Sequence, residues 1–340
     1  MKNLFSLACL LGVHAINQAI ASPIAGSRED GLRTVHQFPS RTWIENMAIR
    51  KNGQILGTDL AGGRIFLVDP KHPHDPPVIA QFPNGTAVGG IAEVEDDVFY
   101  TSSIQTIAGN VYSFNFQPNS SAVWEVDMRC YSRTGKAEVR KVVDIPAAVV
   151  LNGMTLLSKE EGTILMADAV AGLIWKLNVN TAAYEVAIDD PILKPIPTAR
   201  PPFGVNGIHI VDSLLYFSNT NHGLVAKVPI SSDGGLTGSV STISSEVPNV
   251  DDFAVDRCGA IWLAENQINT FSRVSPTGEV QKIAGGQNST ELIGPVAAIF
   301  GRTGRDRDVL YISTDGLTNS ATGEPLTTNG KIAAIDTWGW

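Results

Sequence analysis

The sequence has little of what marks a nucleic-acid-binding protein or a nucleophilic enzyme. Charged residues make up only 17% of its 340 residues, and with a net charge of −9 and no cluster of Lys or Arg it lacks the basic face that nucleic-acid binding requires. It contains no Gly-x-Ser-x-Gly elbow, phosphate-binding loop, Cys–His pairing or Cys-x-x-Cys motif. Serine-type acyl transfer, nucleotide chemistry and zinc chemistry are therefore without support.

Helical periodicity and a membrane-spanning apolar run are also missing. The N-terminal apolar run, residues 4–13, is too short to cross a bilayer. Lys2 precedes it and a small-x-small cleavage site, Ala19-Ile20-Ala21, follows it, so we expect a signal peptide over residues 1–21 and one exported domain over residues 22–340. In a secreted chain, three sequons become candidate glycan acceptors: Asn84, Asn119 and Asn288.

What the chain does contain is a short phrase that recurs six times. The copies lie at residues 44–49, 88–92, 151–156, 205–210, 250–255 and 294–299. Their spacing of roughly 45 to 60 residues is typical of propeller blades. Each copy is followed by short runs rich in Val, Ile, Phe, Tyr and Trp, which turn residues bound. The pattern predicts an all-β fold, a six-bladed β-propeller.

The last blade needs a strand from elsewhere, because only two strand-like runs follow the sixth copy. Residues 34–38 lie upstream of the first copy, and we expect them to close the ring by pairing with residues 331–336. In such a ring Cys130 and Cys258 fall in opposite blades, beyond disulfide reach. We therefore expect two unpaired thiols after Cys9 leaves with the signal peptide.

The second position of the phrase is polar in four copies. These copies carry Glu45, Asn152, Asn206 and Asp251. Equivalent positions of successive blades converge on the axis of a closed ring, and carboxylate and amide oxygens suit Ca²⁺ or Mg²⁺. The alternative is that Asn-Gly and Asp-Asp simply form the turns that begin these strands. Glu45 is not a turn residue, which favours a site.

Long loops are expected at the same end of the ring as these polar positions. Residues 189–203 are proline-rich and long enough to lean over the channel, and residues 315–329 are polar and form a candidate lid. Variable loops on one end of a rigid scaffold are where binding usually occurs. We therefore place the functional site at this end.

The chain resembles the regucalcin/gluconolactonase and paraoxonase propellers in these four positions, which carry Glu on blade one, Asn on blades three and four and Asp on blade five. This resemblance implies that Glu45, Asn152, Asn206 and Asp251 hold a metal ion, with Asp251 as the base that activates water on a lactone. The chain departs from the gluconolactonase pattern on blade two, where Gly89-Gly90 replaces a substrate-binding Asn-Asp-Gly stretch. The departure argues against a sugar lactone as the substrate.

Two motifs of the chain are similar to motifs of a secreted fungal branch of this superfamily. They are residues 43–50, which read Trp-Ile-Glu-Asn-Met-Ala-Ile-Arg, and Leu151-Asn152-Gly153-Met154. Some members of that branch act as hetero-Diels–Alderases in tropolone–sesquiterpenoid biosynthesis, where they join an ortho-quinone methide to a humulene-type olefin. The resemblance implies a pericyclase of secondary metabolism that requires no cofactor and binds an apolar small molecule.

A cycloaddition requires apolar partners held in a reactive pose and hydrogen-bond donors on the diene oxygen. The candidate donors are Asn152, Asn206, His222 and Lys194. The candidate substrate-binding aromatics are Trp43, Phe82, Phe203 and Phe253, with core packing as the alternative for Phe253 and a solvated turn as the alternative for His222. His209 lies among apolar neighbours, so we expect a satisfied core histidine there.

Three functional classes remain open at this point. The favoured one is a pericyclase that uses Asn152, Asn206, Asp251 and His222. The second is a metal-dependent lactonase, and the third is a propeller that binds a small molecule without catalysis.

Overall fold

The computed structural model describes residues 31–107, 111–319, 325–327 and 329–338. Within them the chain forms six four-stranded antiparallel sheets arranged as a propeller, as predicted. The predicted signal peptide lies outside the described residues. The helices of the described part are short: α1 (Tyr131–Thr134) and 3₁₀ turns at Val111–Ser113, Pro191–Leu193 and Asn266–Ile268. None of them has the length and apolar composition that a membrane crossing requires.

The strands follow one another from the axis outward in each blade. After β1 (Arg33–Gln37), blade one contains β2 (Ile44–Ile49), β3 (Ile55–Asp59), β4 (Arg64–Val68) and β5 (Val78–Gln81). Blade two contains β6 (Thr86–Glu95), β7 (Val98–Gln105), β8 (Ala122–Asp127) and β9 (Glu138–Asp144). Blade three contains β10 (Leu151–Ser158), β11 (Thr163–Asp168), β12 (Leu173–Asn178) and β13 (Tyr184–Ile188).

The remaining blades repeat this order. Blade four contains β14 (Val205–Val211), β15 (Leu214–Asn219), β16 (Leu224–Pro229) and β17 (Ser241–Ser244). Blade five contains β18 (Val250–Val255), β19 (Ile261–Glu265), β20 (Thr270–Val274) and β21 (Val280–Gly285). Blade six contains β22 (Pro295–Phe300), β23 (Val309–Thr314) and β26 (Lys331–Asp336), and a separate hairpin of β24 (Leu317–Asn319) and β25 (Pro325–Thr327) lies between β23 and β26 in the chain.

The ring closes as the sequence predicted. Strand β1 pairs antiparallel with β26, with Arg33 opposite Ala334 and Gln37 opposite Lys331, and becomes the outer strand of the blade β22–β23–β26–β1. The first and last parts of the described chain are thereby hydrogen-bonded to each other, and the closing blade has four strands like the other five. Cys130 and Cys258 are unpaired and exposed, again as predicted.

Apolar side chains hold neighbouring blades together. Leu165 and Phe217 are buried in a cluster between blades three and four, and Trp262 and Leu310 in one between blades five and six. Each such side chain contributes roughly 1.5–3 kcal/mol when fully buried. The stability of the ring is therefore spread around its circumference rather than concentrated in one core.

Glycines allow the innermost strands to approach one another closely. A Cβ on Gly90 would lie 1.9 Å from the carbonyl oxygen of Asn152, and one on Gly153 would lie 2.4 Å from that of Asn206. A Cβ on Gly207 would lie 2.2 Å from Oδ1 of Asp252. Gly153 and Gly207 lie within β10 and β14, so their role is inter-blade packing and not the turns that the sequence left open.

Candidate functional site

One end of the channel, where the first strand of each blade begins, contains a cavity of about 450 Å³. We call this the upper end and the upper cavity. The four polar side chains of the repeated phrase all line it: Glu45, Asn152, Asn206 and Asp251. They come together because each occupies the same position of an innermost strand. Glu45, Asn152 and Asn206 are buried, with exposed fractions of 5%, 9% and 2%.

These side chains form two amide–carboxyl pairs. Asn152 Nδ2 donates to Glu45 Oε1 at 3.0 Å, and Trp43 Nε1 donates to Glu45 Oε2 at 2.6 Å. Asn206 Nδ2 donates to Asp251 Oδ1 at 2.8 Å and to Thr220 Oγ1 at 2.9 Å. Each pair joins two different blades, so the floor of the cavity exists only in the closed ring.

Burial favours the neutral form of the carboxyl groups at this end. It raises the pKa of Glu45 to about 7, although hydrogen bonds from Trp43 and Asn152 act in the opposite direction. The pKa of Asp251 is raised well above its ordinary value by burial and by the nearby charges of Glu45, Asp252 and Asp315. Burial also raises the pKa of Asp315 to about 8. A buried carboxylic acid can donate a hydrogen bond, which its ionised form cannot.

The same oxygen atoms fit a hard cation. Asn206 Oδ1 is buried and has no hydrogen-bond partner among the described residues. Carboxylate and amide oxygens are the ligands that Ca²⁺ prefers. No group of three or more His, Cys, Asp or Glu is arranged to hold a metal in the part of the chain that the structure describes. Glu45 and Asp251 would therefore need Asn152 and Asn206 to complete the ligand set.

An aromatic wall stands above this polar floor. The ring centroids of Trp43 and Phe114 are 6.0 Å apart with an interplanar angle of 80°, and those of Phe114 and Phe203 are 5.6 Å apart at 79°. Phe116 also lines the cavity. Edge-to-face packing of this kind keeps a continuous apolar surface. The wall gives the cavity a flat apolar side next to hydrogen-bonding groups.

Phe114 and Phe116 were missed in the sequence. They lie between β7 and β8, in a loop that also carries Tyr112, whose ring centroid is 6.1 Å from that of Trp43. The alternation of aromatic residues in a loop at the expected binding end was the signal available. From blade two, Gly89, Ser102 and Ser103 line the cavity; Ser102 Oγ donates to the Leu151 carbonyl at 2.9 Å, and Ser103 Oγ accepts from Trp124 Nε1 at 2.9 Å.

Two predicted aromatics do not line the cavity. Phe82 is buried between blades one and two, where its ring packs edge-on against Trp124 at 5.3 Å. Phe253 is fully buried in the cluster between blades four and five, because its position in β18 directs the side chain into the interface of the blades. Trp43 and Phe203 do line the cavity, as expected.

Of the other histidine and lysine residues that we considered, one lines the cavity and two do not. His222 is exposed and lines the rim of the cavity. Lys194 does not line it, because its ammonium group pairs with Asp189. His209 Nε2 is hydrogen-bonded to Asp252 Oδ1 at 2.7 Å, so this one ring nitrogen is satisfied, but 32% of the side chain is exposed and the residue is not the buried core histidine that we expected.

The proline-rich loop leans over the cavity as predicted, through Ala199, Arg200, Pro201 and Phe203. Asn219 Nδ2 anchors the loop by donating to the carbonyl groups of Ile192 and Lys194 at 2.8 and 3.0 Å. The candidate lid over residues 315–329 lies partly outside the described residues. The three sequons are exposed, and all lie in loops of the upper end: Asn84, Asn119 and Asn288.

Comparisons with known proteins agree with this architecture. The chain is 25% identical over 362 residues, covering 98% of both sequences, to a candidate hetero-Diels–Alderase of Phoma sp.. It is 25% identical over 346 residues, covering 91% of this chain and 84% of the relative, to the candidate hetero-Diels–Alderase asR5 of Sarocladium schorii. No family model matches the chain.

Solved structures of similar shape include a regucalcin from Agrobacterium tumefaciens, with a TM-score of 0.58, 14% identity and coverage of 88% of this chain and 93% of that one. A gluconolactonase from Xanthomonas campestris has a TM-score of 0.57, 15% identity and coverage of 90% and 89%. A luciferin-regenerating enzyme has a TM-score of 0.62, 13% identity and coverage of 88% and 93%. The chain has the fold of the regucalcin and gluconolactonase propellers.

Proposed function

We propose that the protein is a hetero-Diels–Alderase-type cyclase of fungal secondary metabolism, which joins a tropolone-derived ortho-quinone methide to a humulene-type olefin. The observation that carries the proposal is the upper cavity, in which an aromatic wall faces two buried amide–carboxyl pairs. Two relatives that match most of the chain are named as hetero-Diels–Alderases, which supports the same chemistry.

The reaction suits a site of this composition. One C–C and one C–O bond form together, no group leaves and no covalent intermediate with the protein is needed. Holding the two partners in a reactive orientation can supply much of the rate enhancement. Charge develops on the oxygen of the diene, and a preorganised hydrogen-bond donor stabilises it.

The residues divide these tasks between them. Trp43, Phe114 and Phe203 provide the surface against which a flat conjugated ring packs. Near neutral pH a protonated Glu45 or Asp251 donates to the oxygen of that ring, since burial favours their neutral forms. Asn152 and Asn206 position these carboxyl groups through their amide nitrogens. The loop that carries Phe203 covers the apolar partner.

The test is a reconstituted cycloaddition. An ortho-quinone methide generated from its precursor is mixed with humulene, with and without the purified protein, and the products are resolved by chiral chromatography and mass spectrometry. We expect faster formation of one stereoisomer. Phe203→Ala should broaden the product ratio, whereas Tyr184→Ala, on the outer strand β13, should leave it unchanged. A product distribution equal to the uncatalysed one, with tight substrate binding, would favour a non-catalytic binding protein.

A second candidate, a metal-dependent lactonase, is favoured by the four oxygen-bearing side chains that share the upper cavity. A Ca²⁺ or Mg²⁺ ion held by Glu45, Asn152, Asn206 and Asp251 would polarise a lactone carbonyl. Asp251 would then accept a proton from water. Calorimetric titration with Ca²⁺, together with hydrolysis assays on simple lactones before and after chelation, separates the two candidates. Efficient hydrolysis that chelation abolishes would replace the cyclase proposal.

A further inference from the structure

A second cavity, of about 230 Å³, lies in the channel on the opposite side of the floor from the upper cavity. We call it the lower cavity. Among the described residues, none lines both cavities. Its walls are largely apolar and include Met47, Ile91, Met154, Leu156 and Ile299. It is therefore a separate compartment, not an extension of the proposed active site.

The lower cavity exists because two of three equivalent positions on the innermost strands carry alanine and the third carries His209. Ala48 pairs with Leu56 across β2 and β3, Ala92 pairs with Tyr100 across β6 and β7, and His209 pairs with Tyr216 across β14 and β15. These are equivalent positions of three blades, and Ala48, Ala92 and His209 all line the cavity. Two of the three carry only a methyl group, which leaves open space in front of the imidazole.

The imidazole of His209 is held by a buried carboxylate. Its Nε2 is 2.7 Å from Asp252 Oδ1, which also accepts from the backbone N–H of Phe253 at 2.7 Å. Asp252 Oδ2 accepts from Asn46 Nδ2 at 2.9 Å. With these donors Asp252 keeps the Nε2 proton on His209, so Nδ1 is the acceptor of the neutral ring. Among the described residues Nδ1 has no hydrogen-bond partner, and the side chain is 32% exposed.

The positive charge at the mouth of the lower cavity is paired. Arg302 pairs with Glu93 and also donates to the Ile49 carbonyl at 2.6 Å. The other titratable groups that face the space are His209 and its partner Asp252. Because no positive charge is in excess, an anionic ligand would gain nothing here. A neutral molecule that can donate one hydrogen bond fits the available acceptor.

We propose that the lower cavity binds a small neutral phenol, whose hydroxyl group donates to Nδ1 of His209 and whose ring lies against the apolar lining that includes Met47 and Met154. A cavity of about 150 Å³ is enough to hold a benzene ring, so one substituted ring fits. Thioether sulfur atoms make favourable contacts with aromatic rings, and both methionines line the space. This site is independent of the function proposed for the upper cavity.

The test is a ¹⁹F NMR titration of the purified full-length protein with 4-fluorophenol and, in parallel, with fluorobenzene. We expect saturable binding of both, with 4-fluorophenol tighter by about threefold to tenfold because only it can use the acceptor. His209→Leu should remove that difference while fluorobenzene still binds. Ala92→Leu should fill the cavity and abolish binding of both probes. Tyr184→Ala, on the outer strand β13, is the control and should change neither affinity, whereas Phe203→Ala reports any binding of the probes in the upper cavity.

Thermal unfolding verifies that each variant is folded before it is titrated. Since His209→Leu removes a partner of Asp252, Ala92→Leu provides a second test that leaves this hydrogen bond in place. The proposal is overturned if wild-type protein shows no saturable binding, if Ala92→Leu binds 4-fluorophenol as tightly as wild type, or if Phe203→Ala is the variant that loses binding.

Discussion

The two ends of the channel are built from the same innermost strands but have different chemistry. At the upper end, Glu45 and Asp251 face a cavity with an aromatic wall, while their immediate neighbours Asn46 and Asp252 form the network that holds His209 at the lower end. The pairing of these strands is irregular between Ile44 and Asn46 and between Val250 and Phe253, and irregularities of this kind redirect side chains, so consecutive polar residues reach opposite sides of the floor. A one-residue difference in position separates carboxyl groups whose neutral form burial favours from a carboxyl group that has three hydrogen-bond partners.

The separation of the two ends depends on close packing of the innermost strands at the floor. A substitution that disrupts this packing should have the largest effect of those considered, a loss of stability. Gly207→Ala places a methyl group 2.2 Å from Asp252 Oδ1 and should destabilise the protein by about 1–3 kcal/mol, as over-packing does. The free energy of unfolding in urea measures this loss. Gly304→Ala, where no atom lies within 4 Å, is the control. Equal stability of the two variants would contradict a packed floor.

At the upper end, Asn206→Ala should slow the cycloaddition by about tenfold to hundredfold, since it removes the group that positions Asp251 within a preorganised site. Turnover should persist, because the two partners remain bound against the aromatic wall. Steady-state kinetics, with the concentration of the diene precursor held constant, give the rate. Should Asp251→Ala eliminate all turnover while the fold persists, the hydrolytic mechanism would be favoured instead.

The pH dependence of stability should distinguish the upper carboxyl groups from exposed ones. Burial raises the pKa of Asp315 to about 8, from about 3.9 in the unfolded chain. Its stabilising contribution is therefore complete below about pH 4 and is lost as the pH rises through about 8. Asp315→Asn should flatten the decrease in unfolding free energy between pH 5 and pH 8, measured by urea titration at several pH values.

Asp144→Asn, at an exposed carboxyl group, should leave the slope unchanged.

Addition of calcium tests the same carboxyl groups in a second way. If Glu45 and Asp251 hold a cation, millimolar Ca²⁺ at pH 8 should raise the melting temperature of the wild type but not of the Glu45→Gln variant. No shift with Ca²⁺ in either protein would argue for the neutral-acid role of these groups.

The smallest expected effect concerns the outer surface of the upper end. Asn84, Asn119 and Asn288 are exposed there, so glycans on an exported protein would crowd the upper end and leave the lower end bare. Replacing all three by Gln should lower the mass of protein expressed in a secreting fungal host and leave the melting temperature within about one degree. An unchanged mass would show that the sequons are unused.

The blade order, the closing strand and the shared location of Glu45, Asn152, Asn206 and Asp251 were predictable from the sequence. They follow from a repeated pattern, because equivalent positions of equivalent strands must meet at the axis. The aromatic residues were less predictable. Phe82 and Phe253 were expected at the rim and are buried between blades, since an isolated aromatic residue gives no sign of which face of a blade it occupies.

The sequence by itself determined the six repeats, their strand periodicity and the polar second position of four of them. Only the tertiary structure decided that Asn152 would bind Glu45, that Asn206 would bind Asp251 and that Asp252 would hold His209. The physical reason is distance along the chain. Strand patterns are local, whereas these contacts join residues of different blades that are 43 to 107 positions apart, and they form only after the ring has closed.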